Sequence, residues 1–428
     1  MRHKPLGCNL LSQMIVLLDR FVTGDRDAAR TFPMIHAANR CASYKNEPDY
    51  MKGKLILLFQ ILCYTLTYSQ GMTVPVMINQ EPKPGLRVKV VPENFKGTDI
   101  YYSLYLPENY KQGKKYPVIV EYTGNKWPPT GSTGEVKDAN LGYAVAKKIQ
   151  AIWVVFPYIK DNKSITTWWG SEKETIDFAL SNIRKICTSY GGNPAEIFIC
   201  GFSRGAIAVN YLGLYNKEIA DVWLGFFSHD HYDGVNEWKG KDWGAPLLEY
   251  RQSSKERFYR IKGRNCLISQ NVSEGNNTFK TKEYIEENQF DTLANINYNL
   301  IPIQSVIPEI PSKSIPHVHT DKWLLYKSNY ANDVYDWFKQ TIKTKPNTFS
   351  ISGVVSDIND NPISGVIVES GKTHFTTTNK NGEYILEGLI KGNRKISVYD
   401  NKNQYIVQTQ KVNLESNNKK IDFMITNY

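Results

Sequence analysis

Between residues 80 and 345 the chain alternates short, continuous apolar runs with segments of helical period. The runs Pro117–Tyr122 (PVIVEY), Ala151–Tyr158 (AIWVVFPY), Glu196–Cys200, Val222–Ser228 (VWLGFFS), Cys266–Gln270 (CLISQ) and Ile301–Val306 (IPIQSV) predict strands. Leu86–Val91 and Ile100–Leu106 predict an earlier pair. Helices are predicted over 140–148, 172–190 and 330–342; in the second, Ile176, Ala179, Leu180, Ile183 and Ile186 fall on one face. Continuous apolar strands separated by helices imply an α/β architecture, a mostly parallel sheet with helices on both faces. The pattern changes near residues 343–349 (KTKPNTF). Beyond it, Ile351–Val355, Gly365–Val368, Ile385–Leu386, Lys395–Tyr399 and Lys420–Ile425 read as short strands. Asp357–Pro362 and Asn379–Tyr384 supply turn chemistry between them. Strands at this spacing predict a small all-β sandwich over 349–428.

Composition sharpens the division. All nine tryptophans precede residue 345. Residues 51–69 begin Met51-Lys52-Gly53-Lys54, continue through an apolar run from Leu55 to Leu62, and end with Thr67 and Ser69 as small residues flanking a cleavage site. That order predicts a signal peptide, hence export to the periplasm, the cell surface or the medium. Residues 1–50 are then expected to be a non-native upstream extension. Nine of the 52 Lys and Arg and five of the 42 Asp and Glu lie before residue 70, so cleavage lowers the +10 charge. The remaining basic residues are scattered among acidic ones, which speaks against a nucleic-acid partner. No membrane span is expected after cleavage. Three cysteines remain, Cys187, Cys200 and Cys266. Two of these lie in apolar strand patterns and are expected to be buried thiols. No Cys/His spacing suggests zinc, and no cofactor is expected.

The decisive stretch is Gly201-Phe202-Ser203-Arg204-Gly205, directly after an apolar strand and before the helix-compatible Ala206–Val209. Strand, sharp turn and helix are the context of a nucleophile elbow, where the serine hydroxyl is held above the sheet edge. Ser203 is therefore the candidate nucleophile. An oxyanion hole needs two backbone N–H donors. Arg204 offers one at the helix start, and the Thr123-Gly124-Asn125 loop offers the other, with Gly124 making the turn and Asn125 donating. Each such donor is worth about 2.7–4 kcal/mol in the transition state.

The base belongs on the loop between the last strand and the last helix. His319 and His317 both lie there, and His319 is preferred because its H-x-x-x-W pattern to Trp323 resembles that of esterases. The acid is expected after Cys266–Gln270, where no Asp lies and Glu274 is the candidate; Asp291 is too far downstream. His229 and His231 follow an earlier strand and are expected to line the substrate pocket, with metal binding alongside Asp230 and Asp233 the alternative. Trp127, Trp168, Trp169, Tyr158 and Trp238 are candidate pocket aromatics.

The elbow at Ser203, the opening Tyr101-Tyr102-Ser103-Leu104-Tyr105-Leu106-Pro107 and the Gly124 loop resemble the esterase-D, polyhydroxybutyrate-depolymerase and feruloyl or acetyl-xylan esterase branch of the α/β-hydrolases over roughly residues 85–343. Thr123 stands where many of these esterases have His. The C-terminal pattern of G-x-V-x-D, N-P-I-x-G-V-x-V and T-x-x-N-G-x-Y resembles the carboxypeptidase-regulatory-like, transthyretin-like domain. The first resemblance implies ester hydrolysis through an acyl-enzyme. With export, it points to small-molecule or polysaccharide esters as substrates. A serine peptidase and an inactive carbohydrate-binding or adhesion protein on a hydrolase scaffold are the alternatives.

Overall fold

The computed structural model describes residues 71–128, 132–236, 247–272, 279–307 and 319–426, apart from 401, 403 and 418. Strands β1 (Arg87–Val90), β2 (Tyr102–Tyr105), β3 (Tyr116–Tyr122) and β4 (Ile152–Phe156) open the chain, with α1 (Leu141–Ile149) between the last two. A short hairpin, β5 (Tyr158–Lys160) and β6 (Lys163–Ile165), leads to α2 (Glu172–Tyr190). Then follow β7 (Gly192–Phe202), α3 (Arg204–Tyr211), α4 (Lys217–Ala220), β8 (Gly225–His229), α5 (Leu247–Phe258) and β9 (Asn265–Val272). Helix α6 (Phe279–Glu287), β10 (Asn295–Pro302), α7 (Ile303–Val306) and α8 (Asn329–Thr344) complete this part.

Eight of these strands form one sheet in the order β1-β2-β4-β3-β7-β8-β9-β10. The β1–β2 and β2–β4 pairs are antiparallel and every later pair is parallel. This is the strand order of the α/β-hydrolase fold, with β7 central. The inner strands are buried along their length because helices cover both faces, which is why their sequences read as unbroken apolar runs. Helix α2 shows how local chemistry sets the boundaries. The Ser171 side chain accepts from Glu174 N, Glu172 and Glu174 sit at the positive end of the dipole, and Gly191 ends the helix in a left-handed conformation at φ 71°.

One predicted strand is displaced. Ile301–Val306 was expected to be extended, but β10 runs Asn295–Pro302 and Ile303–Val306 is helical. This strand lies at the edge of the sheet and pairs only with β9, so it is half-covered. Its sequence accordingly alternates (Asn295, Ile296, Asn297, Tyr298, Asn299) instead of running apolar.

From residue 348 the chain forms two four-stranded sheets. Strands β11 (Thr348–Ser356), β12 (Ile367–Ser370), β13 (His374–Thr377), β14 (Glu383–Ile390), β15 (Gly392–Tyr399), β16 (Gln408–Leu414), β17 (Lys419–Lys420) and β18 (Phe423–Met424) pair as β14-β11-β17 with β18 also on β11, and as β13-β12-β15-β16. Ile351, Val355 and Leu386 from one sheet share a core with Val368, Ile396 and Val398 from the other. Among the described residues, no helix is long and apolar enough to cross a membrane.

Candidate active site

The site forms at the carboxyl ends of β3, β7 and β8, with the chain before α8 closing over it. Ser203 falls between β7 and α3 at φ 58°, ψ −118°, in left-handed territory for a residue with a Cβ. Its backbone N–H donates to His229 O at 3.0 Å, which ties the turn to the end of β8. The flanking glycines are steric necessities. A Cβ on Gly205 would sit 1.9 Å from Tyr122 O, and one on Gly201 would sit 2.2 Å from Gly205 O. Helix α3 can lie against β3 only without those atoms. Strain of this kind persists where the surroundings over-determine the backbone, and it clusters at functional sites.

The loop after β3 returns to the same place. A Cβ on Gly124 would lie 3.3 Å from Ser203 Cβ, so Gly124 and Ser203 are in contact range. Asn125 is fixed from both ends: its Oδ1 accepts from Trp168 N at 2.8 Å and its carbonyl accepts from Ser132 Oγ at 2.9 Å. Arg204 N is the first N–H of α3, one of the four at a helix start that lack an intrahelical acceptor.

His319 packs its ring at a tilt against Phe202, with centroids 4.5 Å apart, and its Nδ1 lies 2.5 Å from Asp230 Oδ2. Asp230 directly follows β8, at φ 67° and 4% exposed. Its Oδ1 accepts from Asn271 N at 3.1 Å, and its own N–H donates to Ser269 O at 2.8 Å. Asn271 Nδ2 also donates to Thr320 O at 3.0 Å, which anchors the backbone beside His319. A carboxylate bonded to Nδ1 fixes the imidazole tautomer that presents a basic Nε2.

The sequence expectation for the acid was Glu274, which lies outside the described residues, as do His317 and Trp238. The carboxylate on His319 belongs instead to Asp230, one strand earlier. From the sequence, Asp230 is a candidate only as a metal partner. Its signal was its position, an Asp at the carboxyl end of a central parallel strand. At the end of β9 stands Asn271, whose amide supports Asp230.

Other expected pocket residues are distributed differently. His229 is wholly buried: Nδ1 lies 2.8 Å from Ser269 Oγ, and Nε2 meets Thr320 O and Trp323 Nε1, each at 3.0 Å. It braces the loop that carries His319 and is no part of an open pocket wall. Burial pulls its pKa down, favouring the neutral ring. Trp169 is buried and stacks on Tyr211, centroids 4.3 Å apart. Tyr158 is buried beneath the Arg204 guanidinium, and its hydroxyl donates to Thr123 O. Trp127 is 54% exposed, and Trp168 is half-buried at φ 57°. His231 is half-buried with its ring centroid 5.1 Å from that of His319. Asp233 is paired with Arg257 through bonds of 2.8 and 3.0 Å, and Asp230 with His319. Among the described residues, no group of three or more His, Cys, Asp or Glu could hold a metal ion.

Two buried carboxyls flank the site. Glu121, near the end of β3, accepts from Leu141 N, Gly142 N and Trp153 Nε1, and burial with the nearby Asp321 pushes its pKa up to about 8. Asp321 accepts from Asn140 Nδ2, and burial pushes it up to about 6.

Comparison with known proteins gives a local match. Residues 94–181 match the family model described as "Putative esterase". Human Carboxylesterase 5A is 31% identical over 137 residues, 28% of this chain and 23% of that protein, so the match spans about a quarter of the relative. A truncated carbohydrate esterase from gut microbiota superposes with a TM-score of 0.43 at 12% identity, covering 64% of this chain and all of that one. A ferulic acid esterase superposes with a TM-score of 0.37 at 13% identity, covering 60% and 97%. Its stretch from β2 through the first half of α2 is thus similar to esterases.

Proposed function

We propose that the protein is an exported serine esterase that acts on carboxylic esters, with ester groups on polysaccharides or oligosaccharides as the favoured substrates. The observation that carries the reading is Ser203 in left-handed backbone at the strand–helix turn, with His319 packed on the ring of the adjacent Phe202 and bonded to Asp230. In this reading Ser203 Oγ attacks the ester carbonyl and His319 Nε2 takes its proton. Asp230 stabilises the imidazolium that forms. The N–H groups of Arg204 and Asn125 receive the negative charge that develops on the carbonyl oxygen. The alcohol leaves with the proton from His319, and water repeats the sequence to release the acid. The "Putative esterase" match favours ester over peptide bonds. The exposed Trp127 and half-buried Trp168 offer rings for stacking on a sugar or aryl group, which favours a carbohydrate ester. Export rests on residues 51–69, and the C-terminal domain is proposed as a carboxypeptidase-regulatory-like appendage.

Ser203→Ala is expected to abolish hydrolysis of a short aryl acetate while leaving the circular dichroism unchanged. Retained turnover would sink the mechanism. Labelling of Ser203 by a fluorophosphonate, followed by acid release from acetylated or feruloylated polysaccharides, is the expected pattern. Turnover of peptides alone would favour the peptidase, and no labelling the inactive scaffold.

A further inference from the structure

The Arg204 side chain is 1% exposed, and among the described residues no carboxylate pairs with it. A buried guanidinium without a counter-ion is costly, and such a group is kept only where its donors are otherwise satisfied. Here its donor contacts run to the two loops around Ser203, with Tyr158 beneath. Nη2 donates to Gly124 O at 2.9 Å, to Gly134 O at 3.1 Å and to Thr123 Oγ1 at 3.3 Å. Nε donates to Thr123 O at 3.3 Å, and Nη1 to Trp168 O at 2.7 Å. The guanidinium lies over Tyr158, with its carbon 3.8 Å from the ring centroid. The peptide units on both sides of Gly124 are therefore held by one planar fork.

Trp168 closes the circuit. Its carbonyl is held by Arg204, and its N–H by Asn125 Oδ1. Its left-handed backbone needs such support. Arg204 thus connects to Asn125 twice, once through Gly124 and once through Trp168.

We propose that Arg204 is the positioning residue of the oxyanion hole: its backbone N–H is one donor, and its guanidinium aims the other, Asn125 N–H, by clamping Thr123, Gly124 and Trp168. The inference rests on the esterase reading of Ser203. Lysine cannot replace it, because a point-like ammonium cannot reach carbonyls that the planar fork meets from several sides.

The test compares an aryl ester with its thionoester, normalised to active sites titrated with fluorophosphonate. A thiocarbonyl sulfur is a weak acceptor, so it gains little from an aimed N–H. In Arg204→Met, kcat for the ester is expected to fall about 10²-fold. The ester-to-thionoester ratio of kcat/KM is expected to fall about tenfold or more, because the thionoester never used the lost interaction. Arg204→Lys, which keeps a cation over Tyr158, is expected to fall in the same direction and supplies the measurement if the Met variant does not fold. A ratio that stays at its wild-type value in the folded variant, with both substrates falling together or neither falling, would overturn the proposal. Failure of the esterase reading is distinguishable, since it would appear as turnover retained by Ser203→Ala.

Discussion

The carboxylate that holds His319 is itself held by Asn271, through the backbone N–H at 3.1 Å, while the Asn271 side chain reaches Thr320 O. One amide residue thereby fixes both that carboxylate and the loop that bears His319. If Asp230 is the acid, Asp230→Asn removes the charge that stabilises an imidazolium and can accept in the wrong tautomer. The expected loss in kcat is about 10⁴-fold, with KM little changed. Glu274→Gln is expected to leave kcat unchanged, and a large fall there with an active Asp230→Asn would return the role to Glu274. The contrast explains what the sequence could show at this scale. Ser203 is legible because its signal is local, a strand, two glycines and a helix within a dozen residues. His319 is legible from its place between the last strand and the last helix. Asp230 is not, because its partner lies 89 residues away and its strand is not the one after which the acid is usually sought. The Arg204 clamp is hidden for the same reason: its acceptors are backbone oxygens of Thr123, Gly124, Gly134 and Trp168, and a sequence carries no mark of a carbonyl in use.

Glu121 shows how an element boundary and a charge are coupled. It lies on β3, yet it accepts the first N–H groups of α1, so one carboxyl joins the strand that leads into the Gly124 loop to the helix packed over it. Asp321 reaches the same helix start through Asn140. Burial raises both carboxyls, and Asp321 adds to the rise at Glu121, while Arg87 and the donors at Gly142 and Trp153 oppose it. The folded protein therefore binds more protons than the unfolded chain from the ordinary carboxylate range up to about pH 8. Stability must fall as pH rises through that window and is greatest on its acid side, as far as these groups are concerned. Asp321→Asn removes one of the two buried charges and the repulsion on Glu121. The variant's unfolding midpoint in urea is expected to fall less between pH 5 and pH 8 than that of the wild type. Parallel pH profiles for the two proteins would refute the coupling. The elements themselves were legible where periodicity and burial agree, as in α2. They were misread at β10, where an edge strand alternates and the following apolar residues Ile303 and Val306 belong to a helical turn.

At the scale of the whole molecule, the β-domain is fastened to the α/β domain by buried charge. Arg394 on β15 reaches Asp221 after α4 at 2.5 Å, and both residues are under a tenth exposed. Arg184 on α2 meets Glu369 at 2.8 Å and Tyr399 at 2.6 Å. Removing one partner of a buried pair leaves the other charge stranded, at about 3–5 kcal/mol. Lys217 still touches Asp221, so Arg394→Met is expected at the lower end of that range, and Asp221→Asn in the same chain should recover part of the loss. A more selective probe is His374, wholly buried on β13 against Gly388, which in turn presses on Ala195 of β7. Burial and the positive charges of Arg394 and Arg264 lower its pKa to about 4, with Asp221 opposing. The unfolded chain takes up this proton near pH 6.5 and the folded one only near pH 4, so the unfolded state binds more protons between those values. Stability contributed here is complete above pH 6.5 and is lost as pH falls toward 4. The loss is expected where the two domains meet. On acidification from pH 7 to pH 5, proteolysis at the 343–349 junction should accelerate before the α/β domain unfolds. His374→Asn cannot take up the proton and should remove that acceleration. Equal acid sensitivity in the variant would show that another group controls the junction.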